Sequence, residues 1–301
     1  MSSKAIAAIR IALVSRTFYY VPFWAAMKNG YFRDEGLDVE AEILDSTGKV
    51  NSGLIQGKFE IGIGTPEGVI ADHEKGENRL VIVAGNAQKM THFLIAQPSI
   101  RSFADLHGAS IGVASTNEGT AFVIKRILST EGLAESDYSL VDAGGVPSRW
   151  IALQEKRIDA GLQSIPINYA AEDAGYTILC DSNDYVPDYQ FVTVNVTREW
   201  VKEHGPNTTR FLRALGRGTA WMFDEPESVI RLIIDELGVS GEHASRGWEY
   251  YTSGNVIPRD QRVSKPGMNT VFSLMEAAGA IEQREGRSLD EFVDSSYLDA
   301  I

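Results

Sequence analysis

Through the first two thirds of the chain, short apolar runs alternate with longer segments whose apolar positions recur three and four residues apart. The short runs predict strands at 9–14, 39–43, 61–64, 80–86, 93–96, 110–113, 138–141, 160–163, 176–180 and 191–195. The longer segments predict helices at 22–29, 48–56, 67–75, 119–130, 148–155 and 167–174, with Gly, Pro, Asn and Ser at the joints. Beyond Arg198 the strand-type runs stop. Segments 200–204, 207–224, 226–237, 242–251, 265–278 and 289–301 favour helix, with Pro226 and Pro266 suited to first-turn positions. The pattern predicts an α/β body followed by a helical C-terminal segment.

One stretch recurs. Residues 54–63 align without a gap with residues 153–162. Each reads as a helix end (Leu54, Leu153), a basic turn residue (Lys58, Arg157), an acid (Glu60, Asp159) and then a strand. Two similarly built α/β halves would produce this echo, and so would chance over so short a match.

Composition narrows the classes. A chain of 301 residues with 44% hydrophobic content can bury the cores of two lobes. A net charge of −13, from 41 acidic against 28 basic side chains, excludes a nucleic-acid surface, which needs clustered Lys and Arg. Cys180 is the only cysteine, so neither an intramolecular disulfide nor a cysteine-based metal site can form. The histidines (His73, His92, His107, His204, His243) show no metal-ligand spacing, and no metal is expected. The early apolar stretch 6–14 contains Arg10 and falls well short of the ~20 residues of a membrane span, so no direct membrane insertion is expected. It runs straight into the first predicted strand, without the cleavage region of a secretory leader.

Residues 21–26 (Val21 to Ala26) and 29–40, with Asn29, Gly30, Tyr31, Phe32 and the turn at Glu35 and Gly36, resemble the opening of a known family. Further matches follow in order at 56–62, 102–113, 158–160 and 291–298. The resemblance is to the periplasmic solute-binding proteins of ABC importers, in the group that binds sulfonates, nitrate, taurine or thiamin pyrimidines. It implies a type II periplasmic-binding-protein fold, with two α/β lobes joined by two crossover strands. Lobe 1 would comprise 1–93 and 191–301, lobe 2 would be the inserted 94–190, and the crossovers would fall near 92–97 and 188–193. It also implies a small-molecule ligand between the lobes, an ABC permease as partner, no cofactor, no catalytic residue and action as a monomer. The location it implies is periplasmic. The missing leader leaves a cytoplasmic one open.

Ligands of open α/β sheets gather beyond the carboxyl ends of the strands, which directs attention to the loops there. From the first lobe these offer Arg16, Thr17, Phe18, Tyr19 and Tyr20, then Thr65 and Glu67, then Asn86 and Gln88. From the second they offer Ser115, Thr116, Asn117, Gly119 and Thr120, then Gln163, Ser164 and Asn168. Hydroxyls, an amide and a glycine ahead of a helix can aim backbone N–H groups at an anion, although plain N-capping by Ser115 or Thr116 accounts for the same residues. Glu118 would oppose an anion if it faced the cleft. Tyr19 or Tyr20 could stack on a flat ring, with core packing as the rival role. Arg16 is the candidate counter-charge, because a guanidinium can hold a carboxylate by two hydrogen bonds. His92 and Tyr189, at the expected crossovers, could line the cleft from behind or serve the structure.

Enzyme motifs are missing: there is no Gly-x-Ser-x-Gly elbow, His-Glu-x-x-His, phosphate loop or dinucleotide signature. Two enzyme branches resemble the same fold. The pyrimidine-precursor synthase branch carries a cysteine-rich run that a single cysteine cannot supply. A cytoplasmic enzyme resembling aromatic dicarboxylate decarboxylases is the alternative to a binding protein.

Overall fold

A computed structural model describes residues 6–116 and 118–301. Strands β1 (Ala7–Leu13), β2 (Leu37–Ile43), β3 (Ile61–Gly64) and β4 (Leu80–Ala87) build a first sheet. Strands β5 (His92–Ala96), β6 (Ser110–Val113), β7 (Ser139–Asp142), β8 (Ala160–Ser164) and β9 (Thr177–Asp181) build a second, and β10 (Val192–Thr197) returns to the first. The orders are β2-β1-β3-β10-β4 and β7-β6-β8-β5-β9. In each sheet three strands run parallel, and the fourth-placed strand, β10 or β5, lies antiparallel to both neighbours. The two sheets therefore share one topology, and each contains a strand that has just crossed over, or is about to cross back.

Helices α1 (Val21–Lys28), α2 (Tyr31–Asp34), α3 (Thr47–Ile55) and α4 (Glu67–Glu74) flank the first sheet, and α5 (Gly119–Thr130), α6 (Val146–Gln154) and α7 (Ile167–Asp173) the second. The helical segment comprises α8 (Arg198–Asp224), α9 (Pro226–Leu237), α10 (Gly241–Ser253), α11 (Lys265–Ala277) and α12 (Ser296–Asp299). The helices read at 200–204 and 207–224 are the two arms of α8, which meet at the non-helical His204, just ahead of Pro206, whose missing N–H cannot complete the ladder. Of the helix read at 289–301, only a single 3-10 turn at Leu289–Glu291 and the short α12 form, with an extended stretch between them. There the chain bridges Ile82 through Val293, with Ile82 N donating to Phe292 O at 2.9 Å and Asp294 N to Ile82 O at 2.8 Å. Because β4 is an edge strand, this tail covers backbone groups that would otherwise be open to pairing.

The echo between 54–63 and 153–162 is structural. Gly57 and Lys156, at matched positions, both take a left-handed turn, with φ of 65° and 57°. Glu60 then accepts from the Arg10 amide at 2.6 Å while its own amide donates to Arg10 O at 3.0 Å. Asp159 does the same with Ser110, at 2.8 Å in both directions. Each acid fixes the register of the next parallel strand.

The chain passes between sheets twice, at 88–91 and at 182–191. The second passage overlaps the expected 188–193 only in part, beginning earlier. The first lies ahead of 92–97, because His92 is already paired with Ser164 in the second sheet. Helix α11 packs on α5 of the opposite half, and one apolar cluster joins Leu54 and Ile70 of the first half to Ile111 and Ile124 of the second. The halves are closed on one another.

Candidate ligand-binding site

A cavity of about 50 Å³ opens between the carboxyl ends of the two sheets. Its walls hold Ser15, Thr17, Tyr19, Tyr20, Thr47 and Thr65 from the first half, and Ala114, Glu118, Gly119, Thr120, Gly145, Val146 and Arg149 from the second. His92, Phe191 and Val192 close it at the passages.

Arg149 is the buried cation of this wall, 1% exposed. Its Nε donates to Leu162 O and its Nη1 to Gly144 O, both at 2.7 Å. The stem of the side chain lies over Gly112 and Gly161, register partners on β6 and β8, where a Cβ would approach it within 3.2 and 3.3 Å. Burial lowers its pKa to about 10, against the opposing pull of Asp45, and it stays charged at neutral pH. The same burial, with the Arg149 charge second, holds His92 well below its ordinary range, so the imidazole is neutral.

Tyr19 is fixed by Thr91, whose amide donates to its hydroxyl at 2.7 Å and whose Oγ1 lies 2.8 Å away; His92 Nδ1 lies at 3.2 Å. Tyr20 donates to Ile63 O at 3.2 Å. Burial raises both phenols, which remain neutral. Phe191 meets Tyr19 edge-on at 4.9 Å, giving the cavity an aromatic side.

The other side is acidic. Glu118, at the N-cap position of α5, reaches Thr47 and Gly48 of the first half, and its pKa is raised to about 7, first by burial and then by the Glu67 charge. Glu67 accepts from the Tyr189 hydroxyl at 2.5 Å, while its Oε2 has no hydrogen-bond partner among the described residues. Burial pushes Glu67 up as well. A Cβ on Gly119 would lie 2.3 Å from Glu67 Oε1 and 2.8 Å from the Tyr189 hydroxyl, so only glycine permits this approach.

Of the residues singled out in the sequence, the structure gathers Thr17, Tyr19, Tyr20, Thr65, His92, Gly119 and Thr120 on the cavity wall. Others lie elsewhere. Arg16 points away to an ion pair with Glu236, over the Trp24 ring, because α9 presents that carboxylate outside the cavity. Phe18 is core, stacked on Tyr251 with centroids 4.4 Å apart. Asn86 braces the Tyr19 carbonyl at 2.8 Å, and Gln88 holds Asn255 O at 3.0 Å. Glu67 and Tyr189 pair behind Gly119. The carboxyl of Glu67 packs against the start of α5, where the anion nest was expected. Glu118, rather than Ser115 or Thr116, takes the N-cap position of α5. Ser115 and Thr116 lie off the wall, the Thr116 amide donating to Asp142 at 2.7 Å. Asn117 lies outside the described residues. Gln163 is buried behind α6, with its amide suited to Val146 O and Trp150 N; Asn168 is buried in α7, and Ser164 lines a neighbouring space.

Sequence reasoning missed Arg149 and Thr47, while Glu118, weighed there only as a group that would oppose an anion, does face the cavity. Among the described residues, no group of three or more His, Cys, Asp or Glu is placed to hold a metal ion. Nor is any helix there long and apolar enough to cross a membrane.

These features fit two-lobed proteins that close over a solute, and comparison with known proteins agrees. The chain belongs to the NMT1/THI5-like family, whose sequence model matches residues 17–229. It is 23% identical over 294 residues to the formylaminopyrimidine-binding protein of Halalkalibacterium halodurans, covering 94% of this chain and 81% of that one. In structure it is similar to the ligand-binding component of an ABC-type import system from Staphylococcus aureus, with a TM-score of 0.78, 13% identity and 97% and 98% of the two chains covered. It is likewise similar to the alkanesulfonate-binding protein SsuA of Xanthomonas axonopodis, solved with MOPS bound, with a TM-score of 0.74, 14% identity and 92% and 93% covered. The structural likenesses establish the fold, and the relatives are binding proteins by name.

Proposed function

We propose that this protein is the solute-binding component of an ABC importer and that it closes over a small anionic or aromatic organic molecule in the interlobe cavity. The observation that carries this reading is the buried Arg149 guanidinium facing a cavity flanked by the rings of Tyr19 and Phe191 and walled by both halves. A charge-assisted hydrogen bond from Arg149 would hold an acidic group, and the rings would take a flat body. Glu118, close to half-protonated at neutral pH, can accept from a ring N–H or donate to a ring nitrogen.

The lobes of this reading are 1–93 with 191–301, and 94–190, hinged close to these limits at the two passages. Ligand binding stabilises the closed form, and the permease of the importer reads that shape. A periplasmic location follows from this role.

The test is a thermal-shift screen of sulfonates, aromatic carboxylates, pyrimidines and small amides, followed by mass spectrometry of the recovered compound. A hit raises the melting temperature by mass action and is recovered unchanged. Consumption of the hit, or no hit in any class, sinks the reading.

A further inference from the structure

A second space adjoins the cavity, and Thr17 and Val146 line both. Its volume is about 350 Å³. Its walls again come from both halves, with Trp150 and Ile151 of α6 facing Leu237 and Val239 at the end of α9. Ile151 is 49% exposed, one of the few large apolar side chains left open to solvent. Two hydroxyls on this wall have no hydrogen-bond partner among the described residues although both are buried: Thr17 Oγ1, in a residue 4% exposed, and Ser164 Oγ, in one 1% exposed. Buried polar atoms without partners cost free energy, and so does an apolar wall left open to water. A molecule reaching out of the inner cavity would relieve both.

We propose that this space is the outer chamber of the same binding site, and that it takes the apolar part of an elongated ligand whose polar head lies beside Arg149. The inference rests on the reading of the inner cavity as a ligand site. Three features define the ligand. Its head carries an acidic or otherwise polar group toward Arg149. At the neck, one hydrogen-bonding atom can reach Thr17 or Ser164. Its tail is an alkyl chain or ring that lies between Trp150, Ile151 and Leu237.

The test uses benzoate, para-butylbenzoate and para-hexylbenzoate on the full chain, followed by calorimetry and by tryptophan fluorescence. Affinity is expected to rise by roughly three- to fourfold for each methylene that enters the chamber. Ile151→Asp and Leu237→Asp should each flatten this gradient while leaving benzoate affinity unchanged. Equal affinity for benzoate and para-hexylbenzoate overturns the outer chamber and leaves the inner cavity standing. A gradient that survives both substitutions also overturns it, because the chain then lies elsewhere. Failure of every benzoate to bind overturns it too. Only if the wider screen also finds no ligand does the inner-cavity reading fall with it.

Discussion

Asp45 of the first half holds Ser148 of the second: its Oδ2 accepts from Ser148 Oγ at 2.6 Å, and its Oδ1 from the Gly145 amide at 3.0 Å. Both bonds exist only while the halves are closed. Asp45→Ala should therefore favour the open form, raising the radius of gyration in solution scattering and weakening any cavity ligand by about tenfold, or ~1.4 kcal/mol. Unchanged scattering and affinity would remove Asp45 from the closing mechanism.

Arg149 and Arg16 should respond oppositely to removal. Arg149→Met leaves Leu162 O and Gly144 O without their donors and should cost ~2–4 kcal/mol of stability while abolishing binding of an anionic ligand. Arg16→Ala breaks a half-exposed ion pair and a contact over the Trp24 ring and should change stability by about 1 kcal/mol or less. Calorimetry of the two variants with one anionic ligand decides the matter, and a greater loss from Arg16→Ala would place the ligand outside the cavity.

Glu118 gives stability a pH dependence of known sign. Its pKa is about 7 in the folded chain against an ordinary 4.5, so the folded state binds more protons between these values. The stability it contributes is whole below the ordinary value and is lost as pH rises through about 7. Glu67, raised by burial, acts in the same direction. Glu118→Gln should therefore melt higher than the parent above neutral pH, by on the order of 1–3 kcal/mol, with the gap closing toward about pH 4–5. A gap independent of pH would show that Glu118 ionises normally.

Gly119→Ala forces a methyl group against Glu67 and the Tyr189 hydroxyl. Overpacking at this seam should cost ~1–3 kcal/mol in thermal or urea unfolding. If Gly119→Ala were neutral, the Glu67–Tyr189 contact would be loose in solution.

Cys180 should be inert. Burial pushes its thiol up to about 12, so little thiolate is present at neutral pH. Labelling with a thiol reagent should be slow in the folded chain and become rapid on unfolding; fast labelling of the native protein would contradict this.

The strands were legible because each is a short apolar run bounded by turn residues, and the repeated half was legible through Glu60 and Asp159, whose backbone bonds demand an acid there. Lys156 shows where pattern reading weakens: it occupies a left-handed turn that Gly57 fills in the other half, and nothing in its type announces this. Arg149 was hidden because helical periodicity cannot tell a buried arginine from a solvated one. A signal did exist in Gly112 and Gly161, which leave a groove on adjacent strands that a long side chain can fill. Residues 289–301 carry a helical composition, but the exposed edge of β4 recruits 292–294 and leaves only short helical pieces on either side.

The position of β10 governs how the molecule can be made. Since it separates β3 from β4, a ribosome must release the chain through Thr197 before the N-terminal sheet can be completed. The inserted sheet, whose strands all lie between His92 and Asp181, can assemble beforehand. Nascent β4 must wait beside an empty place, so the early chain stays unfinished in its first half however long translation pauses before that point.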